Sequence, residues 1–122
     1  MPSFSSTSRQ KLNECVPELQ TLFNEVVKEF DCTILCGHRG KTAQDKAVED
    51  GVSKAPWPQS KHNSFPSEAV DVMPYPIEWN NTERLMEFSQ YVKATATRLG
   101  VKVQWGGDFK GFFDGPHWEI GK

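Results

Sequence analysis

The apolar segment from Ala69 to Met73 carries an aspartate, Asp71, at its centre. A short apolar run of this kind predicts a strand whose side chains enter the core of the protein. An ionised carboxylate is costly to bury unless it is paired with a cation or bound to a metal ion. The sequence therefore predicts that Asp71 belongs to a polar site, and its first candidate partner is His62, nine positions earlier in a turn-rich loop.

Length and charge limit what this chain can be. With 122 residues it has the size of one domain, so we expect a single domain over residues 1–122 with at most one active site. The formal net charge is −2 and charges of both signs are interspersed, which argues against a nucleic acid as partner. No apolar run approaches the roughly 20 residues of a membrane span, and residues 1–6 lack the apolar region of a secretory signal. These features predict synthesis in a cytoplasm, no signal peptide and no membrane insertion.

The three cysteines are Cys15, Cys32 and Cys36. Their odd number and the absence of a C-x-x-C pair predict reduced, buried thiols rather than a disulfide framework. A cysteine nucleophile would need a histidine base, and His38 is close to Cys36 in sequence. However, residues 32–36 form an apolar run typical of an interior strand, where a thiol behaves as a small hydrophobic group. The sequence therefore disfavours a cysteine hydrolase.

Apolar periodicity and turn signals predict three helices and four strands. The helices are expected at about residues 16–30, 42–50 and 82–99, and the strands at 32–36, 68–73, 101–105 and 117–120. Residues 52–67 contain three prolines and are predicted to form a long ordered loop. Because helices and strands do not alternate regularly, the predicted fold class is α+β, with helices packed on a small antiparallel sheet.

Two of the three histidines flank predicted strands: His62 precedes the second strand and His117 opens the last one. Together with Asp71 they form a set of two imidazoles and one carboxylate. Such a set leaves an open fourth position for water on a tetrahedral zinc ion. The combination predicts a metal-dependent hydrolase.

Hydrolysis at such a centre also needs a carboxylate that is not a metal ligand, to take a proton from water and hand it to the leaving amine. Asp114 is the first candidate, because a Gly-Pro turn between it and His117 would direct both towards one centre. Glu119 is the rival, because residues 117 and 119 of a strand project on the same face. Five aromatic residues could line a groove here, although aromatic residues in a small domain more often enter the core: Trp105, Phe109, Phe112, Phe113 and Trp118.

The pattern S-x-H at 60–62, A-V-D at 69–71 and D-x-x-H at 114–117 resembles a known family of zinc peptidases. This family contains D-alanyl-D-alanine carboxypeptidases and L-alanyl-D-glutamate endopeptidases, including phage endolysins and the vancomycin-resistance dipeptidases. The resemblance extends from Leu12 to the end of the chain. It departs from many members in having eight rather than six residues between the histidine and the aspartate, and an aspartate at 114 where some relatives have glutamate.

The resemblance implies a role for each matching residue. The zinc ligands would be His62, Asp71 and His117, and Asp114 would be the general base. Arg39, in the turn after the first strand, would hold the substrate and its polarised carbonyl. Further substrate-binding residues would be Gln44, which completes an R-x-x-x-x-Q pattern, and Ser60 of the S-x-H motif.

The function implied by this resemblance is that of a zinc-dependent peptidoglycan peptidase. We expect a monomeric, phage-type endolysin that cuts the stem-peptide L-Ala-D-Glu bond after holin-type release from the host cytoplasm. One alternative is a D-alanyl-D-alanine carboxypeptidase or dipeptidase of the same family, in which Arg39 would capture a free C-terminal carboxylate. Another is a non-catalytic, zinc-stabilised wall-binding module, which would normally lack the base at 114.

Overall fold

The computed structural model describes residues 2–121, so Met1 and Lys122, the ends of the predicted domain, lie outside the described residues. Within this range the chain forms four α-helices: α1 (Ser6–Leu12), α2 (Pro17–Val26), α3 (Lys41–Glu49) and α4 (Thr82–Leu99). It also forms four strands: β1 (Cys32–Cys36), β2 (Ala69–Pro74), β3 (Val103–Trp105) and β4 (His117–Ile120). Two short 3-10 helices lie at Lys61–Asn63 and Gly106–Asp108.

The four strands make one antiparallel sheet in the order β1-β2-β4-β3. This confirms the predicted α+β class with a small antiparallel sheet. The register of the two central strands places Asp71 of β2 directly opposite His117 of β4. On its other side β2 pairs with β1, where the register shifts between Ile34 and Cys36, close to Asp71. Strand pairing therefore brings two of the predicted metal ligands together without any contribution from a loop.

Helix α4 matches its predicted bounds, because both of its ends carry strong local signals. The side chain of Asn81 accepts a hydrogen bond from the backbone N–H of Arg84 and so caps the first turn. Gly100 ends the helix with a φ of 74°, in the left-handed region that glycine adopts at little cost. The apolar face of α4 then packs on α2 and on the sheet.

Helix α2 is shorter than predicted. Pro17 occupies its first turn as expected, but the helix ends at Val26 rather than near residue 30. The backbone N–H of Glu29 bonds to the carbonyl of Val26 three residues earlier, so the chain tightens into turns. Phe30 nevertheless contributes to the core, because its ring packs edge-on against Phe88 of α4 at 5.1 Å between centroids.

Helix α1 was not predicted. Ser5 caps it by accepting a hydrogen bond from Ser8, but only Ser8 and Leu12 of its residues are buried. Such a short helix with so little apolar periodicity gives no distinctive pattern. Ser8 connects the helix to the sheet, because the hydroxyl of Ser8 accepts a hydrogen bond from the backbone N–H of Ile34 in β1.

The core separates the aromatic residues near the C-terminus into two groups. Trp105 and Trp118 are buried and stacked on each other at 6.0 Å, so they belong to the core. Phe109 and Phe112 line a cavity, and Phe113 is exposed. None of the helices within residues 2–121 is long and apolar enough to cross a membrane.

The cysteines are free thiols, as predicted, but Cys36 is only half-buried. Cys15 and Cys32 are buried, and burial raises the pKa of each thiol to about 12. A thiol with so high a pKa is a poor nucleophile at neutral pH. These two residues therefore serve packing rather than chemistry.

Candidate active site

His62, Asp71 and His117 come from three segments and meet at one point. Oδ1 of Asp71 lies 3.2 Å from Nε2 of His62 and 3.4 Å from Nδ1 of His117. The three potential ligand atoms all lie within 4.8 Å of one another. Both imidazoles are buried and the carboxylate is half-buried. The spacing suits a single ion bound between the three side chains.

The ring of His62 is oriented by the backbone. Its Nδ1 lies 2.8 Å from the carbonyl oxygen of Gly37. Because a carbonyl can only accept, Nδ1 must carry a hydrogen, which leaves Nε2 as the nitrogen that faces Asp71 and that could bind a metal ion once it is deprotonated. The segment that carries His62 is a 3-10 helix capped by Ser60, whose hydroxyl accepts a hydrogen bond from the N–H of His62 at 3.2 Å.

The ring of His117 is oriented by a carboxylate. Its Nε2 lies 2.7 Å from Oε1 of Glu119, so Nε2 donates and Nδ1 faces Asp71. Burial opposes the charge on Glu119, but the hydrogen bond from His117 and the nearby Lys61 hold the pKa of Glu119 below its usual range. Lys61 lies 3.4 Å from Glu119 and also donates to the carbonyl of Ile120. Glu119 is therefore an ionised acceptor that fixes the orientation of His117.

The donor set fits a divalent metal ion. Each imidazole turns one nitrogen to the centre and donates its other N–H to an oxygen acceptor, which is the usual arrangement of metal-binding histidines. Burial disfavours the charge on Asp71, yet hydrogen bonds with His117 and His62 hold its pKa well below its usual range. An ionised carboxylate flanked by two imidazole nitrogens is a site for a cation, because a metal ion can replace the protons that these nitrogens donate to it.

Asp114 lies beside this group without belonging to it. Its Oδ2 is 3.9 Å from Nδ1 of His117, and its backbone carbonyl accepts a hydrogen bond from the N–H of His117. The turn is held against Gly106, where a Cβ would lie only 2.9 Å from the Cβ of Asp114. Burial, and then the negative charge of Asp71, raise the pKa of Asp114. Asp114 thus has a higher proton affinity than an ordinary aspartate.

Arg39 is buried on the far side of Asp71. Its guanidinium lies 3.4 Å from Oδ2 of Asp71, so the histidines contact one carboxylate oxygen and the arginine the other. Its backbone N–H bonds to the carbonyl of His62 at 2.7 Å. The arginine therefore orients the carboxylate and places a permanent positive charge at the centre.

The structure corrects the expected role of Gln44. Its side chain is fully buried behind Arg39 and does not line the cavity within the described part of the chain. Oε1 accepts from Arg39 at 3.0 Å and from Asn63 at 3.1 Å. Its Nε2 donates to the hydroxyl of Ser53 and to the carbonyl of Ala55. With its hydrogen-bonding groups engaged by the protein, Gln44 supports the site instead of contacting a substrate.

All these groups open onto one cavity of about 400 Å³. One wall is the loop from Val52 to Ala55 and the other contains Phe109, Lys110 and Phe112. Ser60 lines this cavity, as do the three metal-site residues, Arg39, Asp114 and Glu119. Sequence reasoning missed Lys54 and Lys61, because single lysines on a loop carry no pattern that separates them from the solvated surface.

Comparisons with known proteins give the family and the fold of this chain. The family model described as phage L-alanyl-D-glutamate peptidase matches residues 2–120. The fold is similar to the crystal structure of the Serratia marcescens L-Ala D-Glu endopeptidase ChiX, with a TM-score of 0.82, 24% sequence identity, and coverage of 98% of this chain and 91% of that chain. No curated protein matches. Since the family model spans nearly the whole sequence, this chain belongs to the phage L-alanyl-D-glutamate peptidase family.

Proposed function

We propose that this chain hydrolyses the L-Ala-D-Glu bond of the peptidoglycan stem peptide with zinc held by His62, Asp71 and His117. The observation that carries the proposal is the presence, in one cavity, of a His-Asp-His group and a separate carboxylate, that of Asp114. Family membership makes the chain an enzyme and a peptidoglycan peptidase, as the sequence predicted. A non-catalytic wall-binding module is therefore disfavoured.

Zinc suits the donors that this chain offers, since two imidazole nitrogens and one carboxylate oxygen leave a position open for a reactant. Bound there, zinc would supply Lewis acidity, which polarises a carbonyl and acidifies water. Glu119 and the carbonyl of Gly37 keep both rings turned towards the centre, so the site is organised before a metal arrives.

Asp114 is the proposed general base. It is close to the ligand group but is held apart from it by the turn at 114–117, so its oxygens remain available for a proton. Burial raises the pKa of Asp114 and so increases its affinity for the proton of an attacking water. The same carboxyl can then return that proton to the leaving nitrogen, which would otherwise depart as a poorly stabilised anion.

Arg39 is proposed to act electrostatically. Hydrogen bonding to Gln44 and the ion pair with Asp71 hold its guanidinium at the cavity wall before a substrate binds. A preorganised positive charge stabilises an oxyanion more strongly than the neutral carbonyl from which it develops. The arginine should therefore contribute to turnover rather than to substrate affinity alone.

Arg39→Ala should lower turnover by about a hundredfold or more while zinc content is retained. Arg39→Lys is the matched variant, because it restores the charge but not the paired contacts to Gln44 and Asp71. We expect an intermediate rate for it. Zinc content, circular dichroism and initial rates are compared on the same samples. An unchanged rate in Arg39→Ala would show that the arginine has only a structural role.

The bond that is cut can be identified by mass spectrometry of digested peptidoglycan. The proposal predicts fragments with a new C-terminal L-alanine and a new N-terminal D-glutamate. Release of D-alanine instead would support the carboxypeptidase alternative. Absence of any product from zinc-loaded protein would favour the other alternative, that the chain is a non-catalytic wall-binding module.

We also propose that the enzyme works as a monomer on the cell wall after holin-type release from the cytoplasm. Support for the monomer is that the candidate ligands, the base and the arginine all come from one chain and line one cavity. Light scattering in solution should give the mass of a single chain. Activity that depends on a dimer would contradict this proposal.

A further inference from the structure

The cavity contains more positive charge than the proposed reaction uses. Within residues 2–121, four cationic side chains line it: Arg39, Lys54, Lys61 and Lys110. Arg39 pairs with Asp71, and Lys61 pairs with Glu119. Over residues 2–121, neither Lys54 nor Lys110 has a carboxylate partner within ion-pair distance. Two cations at the cavity wall are thus free to bind an anionic group of a ligand.

Lys54 is the more firmly placed of the two. The residues on either side of it, Ser53 and Ala55, are both hydrogen-bonded to the buried amide of Gln44, at 3.0 and 2.6 Å. Its ammonium lies 4.9 Å from the centroid of the Phe112 ring on the facing wall. A cation over a ring face keeps N–H donors available for another partner. Gln44 therefore positions both Arg39 and the loop that presents Lys54.

The substrate supplies an anion that requires such a cation. Glutamate has two carboxyl groups; when one continues the peptide chain, the other stays free on the leaving side of the L-Ala-D-Glu bond. The cavity already contains Asp71, Asp114 and Glu119, whose charges would repel this carboxylate. Arg39 and Lys61 are engaged with acidic partners. An unpaired lysine can offset the repulsion.

We propose that Lys54 binds the free carboxylate of the D-glutamate residue and makes the enzyme selective for stem peptides in which this group is not amidated. The inference rests on the proposed function, because it concerns the same cavity and the same bond. It adds a specificity-determining residue that lies outside the sequence motifs of the site. The lysine contacts the substrate away from the reacting bond, so it affects recognition more than proton transfer.

The test uses two synthetic stem peptides that differ only in this carboxyl group, one as the free acid and one as the primary amide. With the zinc-loaded full chain, kcat/KM for the acid should exceed that for the amide by about tenfold, the lower end of the range for a charge-assisted hydrogen bond. Lys54→Gln should remove this preference by slowing cleavage of the acid to about the rate of the amide. Lys54→Arg should keep the preference.

Two further variants, of Lys46 and Lys110, test whether the acid preference depends on Lys54 in particular. Lys46→Gln removes the same charge from an exposed lysine of α3 that pairs with Asp50, so it should preserve the acid preference. Equal cleavage of both peptides by the wild type, or an unchanged preference in Lys54→Gln, would overturn the inference while leaving the proposed function intact. Loss of the preference in Lys110→Gln instead of Lys54→Gln would also overturn it. If the wild type cuts neither peptide, the proposed function is refuted, and so is the inference that rests on it.

Discussion

Asp114→Asn should lower peptidoglycan hydrolysis by about two to four orders of magnitude while the protein keeps its zinc. The amide has the same size as the carboxyl but cannot accept the proton of the attacking water. Zinc should be retained, because the group suited to a metal ion consists of His62, Asp71 and His117. Initial rates on purified peptidoglycan and zinc content, measured on the same samples, test both parts of this expectation.

Glu119→Gln is the matched control, since it makes the same chemical change to the other acidic candidate. Glu119 accepts the hydrogen bond from Nε2 of His117, so its amide should weaken zinc affinity by roughly 10–100-fold. Excess zinc should then restore most of the activity of Glu119→Gln and none of that of Asp114→Asn. If Asp114→Asn is active and zinc-loaded Glu119→Gln is inactive, Glu119 rather than Asp114 is the general base. Loss of zinc from Asp114→Asn would make Asp114 a ligand.

Removing either imidazole from the proposed zinc site should abolish both zinc binding and hydrolysis. His62→Ala and His117→Ala each leave two of three protein ligands, and the ionised Asp71 then loses a hydrogen-bonding partner in a buried setting. Bound metal stabilises the native state by about 4 kcal/mol when its concentration is 1,000 times the dissociation constant. The variants should therefore melt below zinc-loaded wild type, and added zinc should not raise their Tm.

His38→Ala provides the control for these variants. The third histidine hydrogen-bonds through Nδ1 with the carbonyl of Ser64 at 2.9 Å and packs against Phe65, and it is not among the residues that line the cavity. The His38→Ala variant should keep stoichiometric zinc and full activity. Stoichiometric zinc in both His62→Ala and His117→Ala would refute the proposed ligand set.

Features with a strong local signal were predictable from the sequence. The bounds of α4 follow from the cap at Asn81, the glycine at 100 and the apolar periodicity between them. The antiparallel α+β class follows from short apolar runs that do not alternate regularly with helices. Asp71 indicated where the polar site lies, because an acidic residue inside an apolar strand needs a cationic partner or a metal ion. The D-x-x-H and S-x-H motifs supplied candidates for that partner and for the base.

The supporting contacts of the site could be read only from the tertiary structure. Gln44 contacts Asn63, 19 positions away, and Lys61 donates to Ile120, 59 positions away. The tautomer of His62 depends on a carbonyl at Gly37 that is 25 positions distant. No local pattern encodes such pairings, since a glutamine or a lysine has the same propensities whether it is solvated or bonded across the fold. Residue types and strand periodicity therefore indicate which groups could react, while the packing of distant segments decides which groups hold them in place. Within residues 2–121 it also leaves two cations of the cavity wall, Lys54 and Lys110, without an acidic partner.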